Sequence, residues 1–588
     1  MTTDQNYQQI YRVGGMLDAG FVGQITYTIS LDQVYDELDI HFSFDKRLYS
    51  ESDVTPELID RLQTLCTAKY DAPTYPVEEF RQTILHEMKT EIHTMAELND
   101  NFIGCIHRQL TDRHMLYTKE FTSNGCLAQD TFSGVLKVTV LVFNVLLDNT
   151  QYTLTVSGHP VGQGVIAPNF NLMDTVKTAA GNAGASNAAG SADNSCEAES
   201  APASAAATAG DSGVSGAGSA ATAGDSSTTG SSSAGNTVTA STRFKRLELH
   251  NHTVESDGSL TCQELTEYLA ADHVDAFAIT DHNTTSGQKK IEQLLEEKHY
   301  PISLIRGMEY TTYFGHILCL NLAKYVPWNS IDQHRPELLF EAAREKGALV
   351  GIAHPFSYGD PFARGCRFEM TISDYSKVDF IEIFNNPEPL HEVNERGTNL
   401  WMSLIFSGYQ ITATSGMDLH NRAKLAGCYA TYIEGKSGGN IASELDTAIH
   451  THRTWVSKGA LLLTEVLPET NELLLTFTDA HKPGFAVPKT AQVVLKGKDK
   501  TFTTSVSLDK PVRVSLNQLS GTDPIIPLLY EAPGINGAAT VSNSAHVAAS
   551  TSCGSAADAI SAAGQLKEID ALPAIEGLLC VSPVLYRD

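Results

Sequence analysis

The chain has no closely spaced cysteine pair. Its ten cysteines (Cys66, Cys105, Cys126, Cys196, Cys262, Cys319, Cys366, Cys428, Cys553 and Cys580) stand singly. That pattern excludes a zinc ribbon or a CxxC redox motif and leaves reduced, mostly buried thiols as the expectation. Basic residues are scarce, 41 against 69 acidic ones in 588 residues, for a formal net charge of -28. Such a field repels the phosphates of long duplex nucleic acid. Long apolar runs are missing too, because the most apolar stretch, Val135 to Leu147, is broken by Lys137 and Asn144. The opening MTTDQNYQQIYRVGG has neither the basic start nor the apolar core of a signal peptide. A soluble, cytoplasmic protein with no membrane partner is expected. Neither a P-loop pattern GxxxxGK[ST] nor a GxSxG elbow occurs at a strand-to-helix junction, so phosphate-loop and serine-nucleophile chemistry have no support.

Two stretches are nearly pure Ala, Gly, Ser, Thr and Asn: about Asp174 to Thr242 and about Asn536 to Gly564. They contain too few large apolar residues to offset their ordering entropy. The expected organisation is therefore a β-rich domain over 1–170, a disordered linker over 171–242, a central domain over 243–460, and a C-terminal β domain over 461–588 with a disordered loop at 536–564. QITYTISL, LDIHFSF, VLKVTVLVFNVLL and QYTLTVSG read as strands of an N-terminal sandwich-like module. Between Pro56 and Asn99, ELIDRLQTL and VEEFRQTILHEMKTEIHTM have the spacing of amphipathic helices and predict a helical insertion. ELLLTFTD, AQVVLKGKD, TFTTSVSL and PVRVSL, with LLCVSPVLY beyond the second low-complexity stretch, predict another all-β, sandwich-like module.

The central region alternates strand-like runs with helices such as CQELTEYLAADH, PELLFEAAREKG and GTNLWMSLIFSG, which predicts an α/β domain with mainly parallel strands. Its apolar runs end in metal-ligand residues. RLEL leads to His250 and His252, AFAIT to Asp281 and His282, SLIRGM to Glu309, ALVGIA to His354, and ITATSGM to Asp418 and His420. The carboxyl ends of parallel strands share one face, where active sites are built. An HxH pair on a strand turns both imidazoles to one side, able to grip one ion. Singly, such a pair is more often an ordinary core or surface feature, and Asp281 and His282 could merely cap a helix. Their joint arrival at strand ends in one domain argues for a site.

In order, HNHTVESDGSL, AITDHNT, GMEYTTYFGHILCL, GIAHPF, FIEIFNN and TSGMDLH resemble the successive motifs of the PHP (polymerase and histidinol phosphatase) superfamily of metal-dependent phosphoesterases. The resemblance spans about Arg243 to Gly459, and more loosely the flanks resemble a longer bacterial subgroup with a β-module on either side. It implies a distorted, barrel-like domain of about seven βα units with two or three divalent ions in its mouth. It also implies that His250, His252, Glu309 and Asp418 hold the first ion. Glu309 would bridge to a second ion completed by His316 and His354, and Asp257, His282 and His420 would hold a third. Two positions depart from the pattern: His316 begins the run HILCL instead of ending a strand, and Asp257 stands where some relatives carry histidine.

Clustered dications neutralise phosphoryl oxygens, steady a leaving oxygen and make hydroxide available near neutral pH, so hydrolysis of a phosphate ester is the implied reaction. Mixed imidazole and carboxylate donors suit Zn, Mn or Fe. Arg364, Arg367 and Asn385 are candidate substrate contacts, and Tyr310, Tyr313 and Phe314 could stack a base. The expected substrate is a small phosphorylated molecule or a short nucleotide. Two other readings are a metal-dependent hydrolase of a carboxyl or carbamate ester, and a binding protein that keeps a structural metal site.

Overall fold

The computed structural model describes residues 7–70, 76–108, 110–146, 149–161, 243–331, 334–385, 392–483, 485–532, 566–569 and 571–586. The low-complexity segments expected at 171–242 and 536–564 lie outside the described residues.

The N-terminal part comprises strands β1 (Gln8–Leu17) and β2 (Gly23–Phe44), helices α1 (Pro56–Tyr70) and α2 (Val77–Glu87), and strands β3 (Glu91–Leu98), β4 (Asn101–Ile106), β5 (Asp112–Tyr117), β6 (Phe132–Asn144) and β7 (Thr150–Pro160). The 22-residue strand β2 bends where its register breaks between Leu31 and Tyr35. Its first half pairs with β6, and its second half pairs with β7 and β5. All pairings here are antiparallel, and Ile40, Phe42, Leu136, Val138, Val140 and Leu154 fill the space enclosed. The helix expected to continue through EIHTM stops at Glu87, and that segment is strand β3 instead. Thr90, Ile92 and Thr94 are β-branched, and residues 91–96 are buried on both faces, a pattern that helical spacing cannot satisfy.

Strand β6 explains the long apolar run noted above. Leu136, Val138, Val140 and Val142 face the N-terminal core, while Leu141 and Phe143 face a second core shared with the central domain. Alternation of this kind puts Met95 of β3 and Cys105 of β4 on the same outward face, together with Glu91, His93 and, one step past β4, His107.

The central part contains β8 (Arg243–Glu248), α3 (Cys262–Ala271), β9 (Ala276–Ile279), α4 (Ser286–Lys298), β10 (Ser303–Thr312), β11 (Gly315–Leu320), α5 (Glu337–Arg344), β12 (Leu349–Ile352), β13 (Phe380–Phe384), α6 (Glu392–Phe406), β14 (Thr412–Ser415), β15 (Ala430–Gly435), α7 (Ile441–His450) and β16 (Thr454–Ser457). The fold is mixed α/β. Strands β8, β9 and β10 run parallel, as do β12, β13 and β14, but β11 lies antiparallel between the two sets. Regular alternation of seven strand–helix units is not seen among the described residues. Among the described residues, β12 and β14 lead into long Gly-, Pro- and polar-rich loops that reach the site. The chain just after β14 pairs with the chain just after β8 through a parallel bridge between Leu419 and Asn251.

The C-terminal part comprises β17 (Ala460–Leu467), β18 (Glu472–Asp479), β19 (Thr490–Lys496), β20 (Thr501–Ser507), β21 (Val512–Ser515), β22 (Ile526–Glu531), β23 (Lys567–Ile569) and β24 (Leu578–Val581). It is not a detached module. Strand β24 pairs with β16 of the central part and with β22, so one 14-stranded sheet runs through both parts, while β17, β18 and β21 form a separate three-stranded sheet. One hydrophobic core contains Phe143 and Leu141, Met308 and Trp328, and Leu528 and Val581, residues from all three parts. No helix among the described residues is long and apolar enough to cross a membrane.

Candidate metal centre

The carboxyl ends of β8, β9, β10, β12 and β14 open on one face, and their terminal residues meet there. His250 Nε2 lies 3.3 Å from both Glu309 Oε2 and Asp418 Oδ1, and His252 Nε2 lies 3.4 and 2.9 Å from the same two oxygens. Donors arranged around one ion at about 2.0–2.3 Å stand roughly 3–4 Å apart, so these separations fit a shared cation. Glu309 Oε1 is 2.9 Å from His316 Nδ1 and 3.1 Å from His354 Nε2. Asp257 Oδ1 is 3.4 Å from His420 Nε2 and 3.7 Å from His282 Nε2. The structure therefore brings all nine sequence-nominated donors into three adjoining groups.

His316 joins them through topology. Because β10 and β11 form an antiparallel pair with Thr311 opposite His316, the start of β11 lies at the same end of the sheet as the finish of β10. Asp257 arrives on the loop between β8 and α3. Asp281 is turned away from the cluster and holds this loop, accepting from Thr253 N (2.7 Å), Thr253 Oγ1 (2.8 Å) and Ser256 Oγ (2.7 Å). His354 and Asp418 take positive φ values of +24° and +49°, backbone conformations of a kind that collects at functional sites.

Imidazole orientation is set from behind. His250 Nδ1–H donates to Glu382 Oε1 (3.0 Å), His354 Nδ1–H to the Cys366 carbonyl (3.1 Å) and His420 Nδ1–H to the Asp418 carbonyl (2.9 Å). Each bond turns Nε2 inward, the arrangement that metal-binding histidines adopt. Glu382, on β13, also accepts the His354 backbone N–H (3.0 Å) and the Asn385 amide (2.9 Å). Sequence reading missed Glu382 because it sits in the middle of an apolar strand; its only sequence signal is a lone carboxylate in FIEIF.

The donor set fits divalent metal. Nε2 of His250, His252 and His316, Oδ1 of Asp257 and Asp418, and Oε2 of Glu309 are buried without a hydrogen-bond partner. Folded proteins satisfy nearly all such atoms, and here four of the exceptions, on His250, His252, Glu309 and Asp418, face one another. Charge coupling agrees. Burial pushes the Glu309 and Asp418 carboxyls up, but neighbouring imidazoles, His316 and His250 for Glu309 and His250 and His420 for Asp418, hold both well below the usual carboxylate range. Burial and the adjacent His282 and His420 push His252 down to about 3. Against the opposing effect of burial, Asp257 and Asp418 raise His420 to about 10.

A cavity of about 140 Å³ opens over the cluster. Its walls include Arg364 and, from the N-terminal part, Lys89, Glu91 and His107. The N-terminal residues carry no local motif, and only the docking of that face reveals them. Arg364 also pairs with Asp360 at 3.0 Å. Arg367 is held instead between the rings of Tyr70 and Phe356, 5.3 Å from each, away from the cavity wall. Asn385 is engaged with Glu382 and Asn394 and does not line the cavity. The aromatic residues considered for base stacking are used in packing: Tyr310 OH accepts from Val326 N (3.0 Å), Tyr313 OH donates to the Gly23 carbonyl (2.8 Å), and Phe314 packs against the shared core.

Residues 7–160 match the model of a family of unknown function (DUF6669). Over 112 residues the chain is 30% identical to an uncharacterized protein (MJ1587) of Methanocaldococcus jannaschii, covering 19% of this chain and 58% of that protein. Over 141 residues it is 36% identical to a 5'-3' exoribonuclease of Haemophilus influenzae, covering 23% of this chain and 50% of that enzyme. Among solved structures it is similar to a two-domain protein of Bacteroides vulgatus containing a predicted PHP-like metal-dependent phosphoesterase, at 15% identity and a TM-score of 0.30, over 49% of this chain and 90% of that one. The chain thus spans between half and three-fifths of the length of these two curated relatives, 50% and 58%.

Proposed function

We propose that the chain is a metal-dependent hydrolase of phosphate esters that acts on a phosphomonoester or on the terminal linkage of a short nucleotide. The observation that carries this reading is the convergence of unpartnered imidazole and carboxylate atoms at the strand ends. In this reading His250, His252, Glu309 and Asp418 hold one ion, Glu309, His316 and His354 a second, and Asp257, His282 and His420 a third. Divalent ions bound there would neutralise phosphoryl oxygens and make hydroxide available near neutral pH. Lys89 and Arg364, both in the cavity wall, would orient the phosphoryl group through charged hydrogen bonds. Similarity to a named exoribonuclease supports a nucleotide as the esterified group. The cavity, about 140 Å³, is smaller than the roughly 300–1,000 Å³ that encloses a drug-sized ligand, so the reacting group enters while the remainder stays outside.

The test combines elemental analysis of purified protein with turnover of an aryl phosphate and a 5'-phosphorylated oligoribonucleotide in Mn. Chelation should abolish turnover, and His250→Ala or Asp418→Ala should reduce it at least 100-fold, on the order expected for loss of metal catalysis. Full activity of metal-stripped protein, or preference for aryl acetate or carbamate over phosphate, would reject the proposal.

A further inference from the structure

The N-terminal part contributes more than a wall. His107, one residue beyond β4, is buried with its ring stacked on His282, the centroids 4.1 Å apart and the planes 24° apart. Its other neighbour is the His93 ring at 4.0 Å. Its Nε2 stands 3.4 Å from Oδ2 of Asp257, whereas His282 and His420 approach Oδ1 of the same carboxylate. The two oxygens of Asp257 are thus divided: Oδ1 faces the central imidazoles, and Oδ2 faces the N-terminal part.

Building on the metal-centre reading above, we propose that His107 is a positioning residue for Asp257, donating Nε2–H to Oδ2 and so aiming Oδ1 at the ion shared with His282 and His420. The tautomer follows from what lies behind the ring. His250, His354 and His420 pass their other N–H to a carboxylate or carbonyl, as metal-binding histidines usually do, although His252 does not. His107 Nδ1 is buried with no hydrogen-bond partner, so a proton there would be wasted, and the proton belongs on Nε2. Because Nε2 faces Oδ2 and not the Oδ1 that His282 and His420 share, it acts as a donor to Asp257 and not as a ligand. The match of residues 7–160 to a family of unknown function then acquires a chemical content, because those residues complete a metal site they do not themselves form.

The experiment measures metal stoichiometry and affinity of the full chain by equilibrium dialysis against Zn or Mn, for wild type, His107→Phe and His107→Gln. Phenylalanine keeps the ring stack and removes the donor, whereas glutamine keeps an N–H donor. One ion should bind about 10–100-fold more weakly in His107→Phe, the usual effect of losing a partner of a metal ligand, with the other ions retained. His107→Gln should recover most of that loss. His107→Ala replaces the phenylalanine variant if the latter does not fold, as judged by thermal melting. Unchanged stoichiometry and affinity in a folded donor-free variant would overturn the inference, and so would equal losses in the phenylalanine and glutamine variants. A metal-soaked crystal structure with an ion on His107 Nε2 would also refute it. Wild type that binds no ion at all would instead count against the metal-centre reading.

Discussion

Gly416 illustrates how tightly the centre is packed. A Cβ there would stand 2.4 Å from His250 Cβ and 2.7 Å from Glu382 Oε1, so any side chain displaces a ligand candidate and its support together. Gly416→Ala is expected to lower stability by about 1–3 kcal/mol, as overpacking does, and metal affinity by roughly tenfold or more; thermal melts and dialysis read the two effects. Protonation supplies a second test. In the metal-free protein His420 is raised to about 10, so both of its ring nitrogens carry protons at pH 7.5, and against burial Glu309 and Asp418 push His250 in the same direction. A cation must displace such protons to reach the nitrogen lone pairs. Metal binding should therefore release protons at pH 7.5, and affinity should weaken as pH falls. Calorimetry in buffers of different ionisation enthalpy measures the release, and an absence of buffer dependence would contradict it.

Helices and strands divide into those that local pattern predicted and those that packing overrode. The runs ending in His250, Asp281, Glu309, His354 and Asp418 form strands, because β-branched and aliphatic residues fill a sheet buried on both faces. EIHTM continues the helix-like apolar spacing of the segment before it, but burial of both its faces makes it β3. His316 looked misplaced only under a purely parallel arrangement, which the reversed strand β11 removes. The loop between β5 and β6 shows an element held by one residue. Gly125 takes φ +80°, its N–H donates to Glu255 Oε2 (3.1 Å), and its carbonyl accepts from Thr284 Oγ1 (2.9 Å). A Cβ would meet the Cys105 carbonyl at 2.3 Å and the Glu255 carbonyl at 2.9 Å. Gly125→Ala should cost about 1–3 kcal/mol through backbone strain. Because the same loop seats the N-terminal part beside the centre, the weakest metal should also be lost more readily, as dialysis against chelator would show.

Across the whole molecule, the described parts behave as one unit. The 14-stranded sheet crosses from the central to the C-terminal part, and a single core joins side chains of all three. Independent modules would melt separately; continuous hydrogen bonding and a common core predict one cooperative transition. Phe143→Ala, which removes a ring from that core, should shift the entire transition by about 3–5 kcal/mol. Calorimetry that resolved separate N-terminal and C-terminal unfolding, with only one displaced by the substitution, would refute this.

Strand termination drew attention to His250, His252, His282, Glu309, His354, Asp418 and His420, because it is a property of contiguous residues, whereas Asp257 and His316 entered only through the family resemblance. Local patterns could not reveal Glu382 behind His250, the packing of Tyr310 and Tyr313, or the presence of Lys89 and His107 at the cavity. Those depend on which sheet face lies against which, and such contacts between residues far apart in the chain leave no periodic trace. Chemistry was therefore written along the chain, while the surroundings that aim it arose only when the outward face of β3, β4 and β6 met the central core.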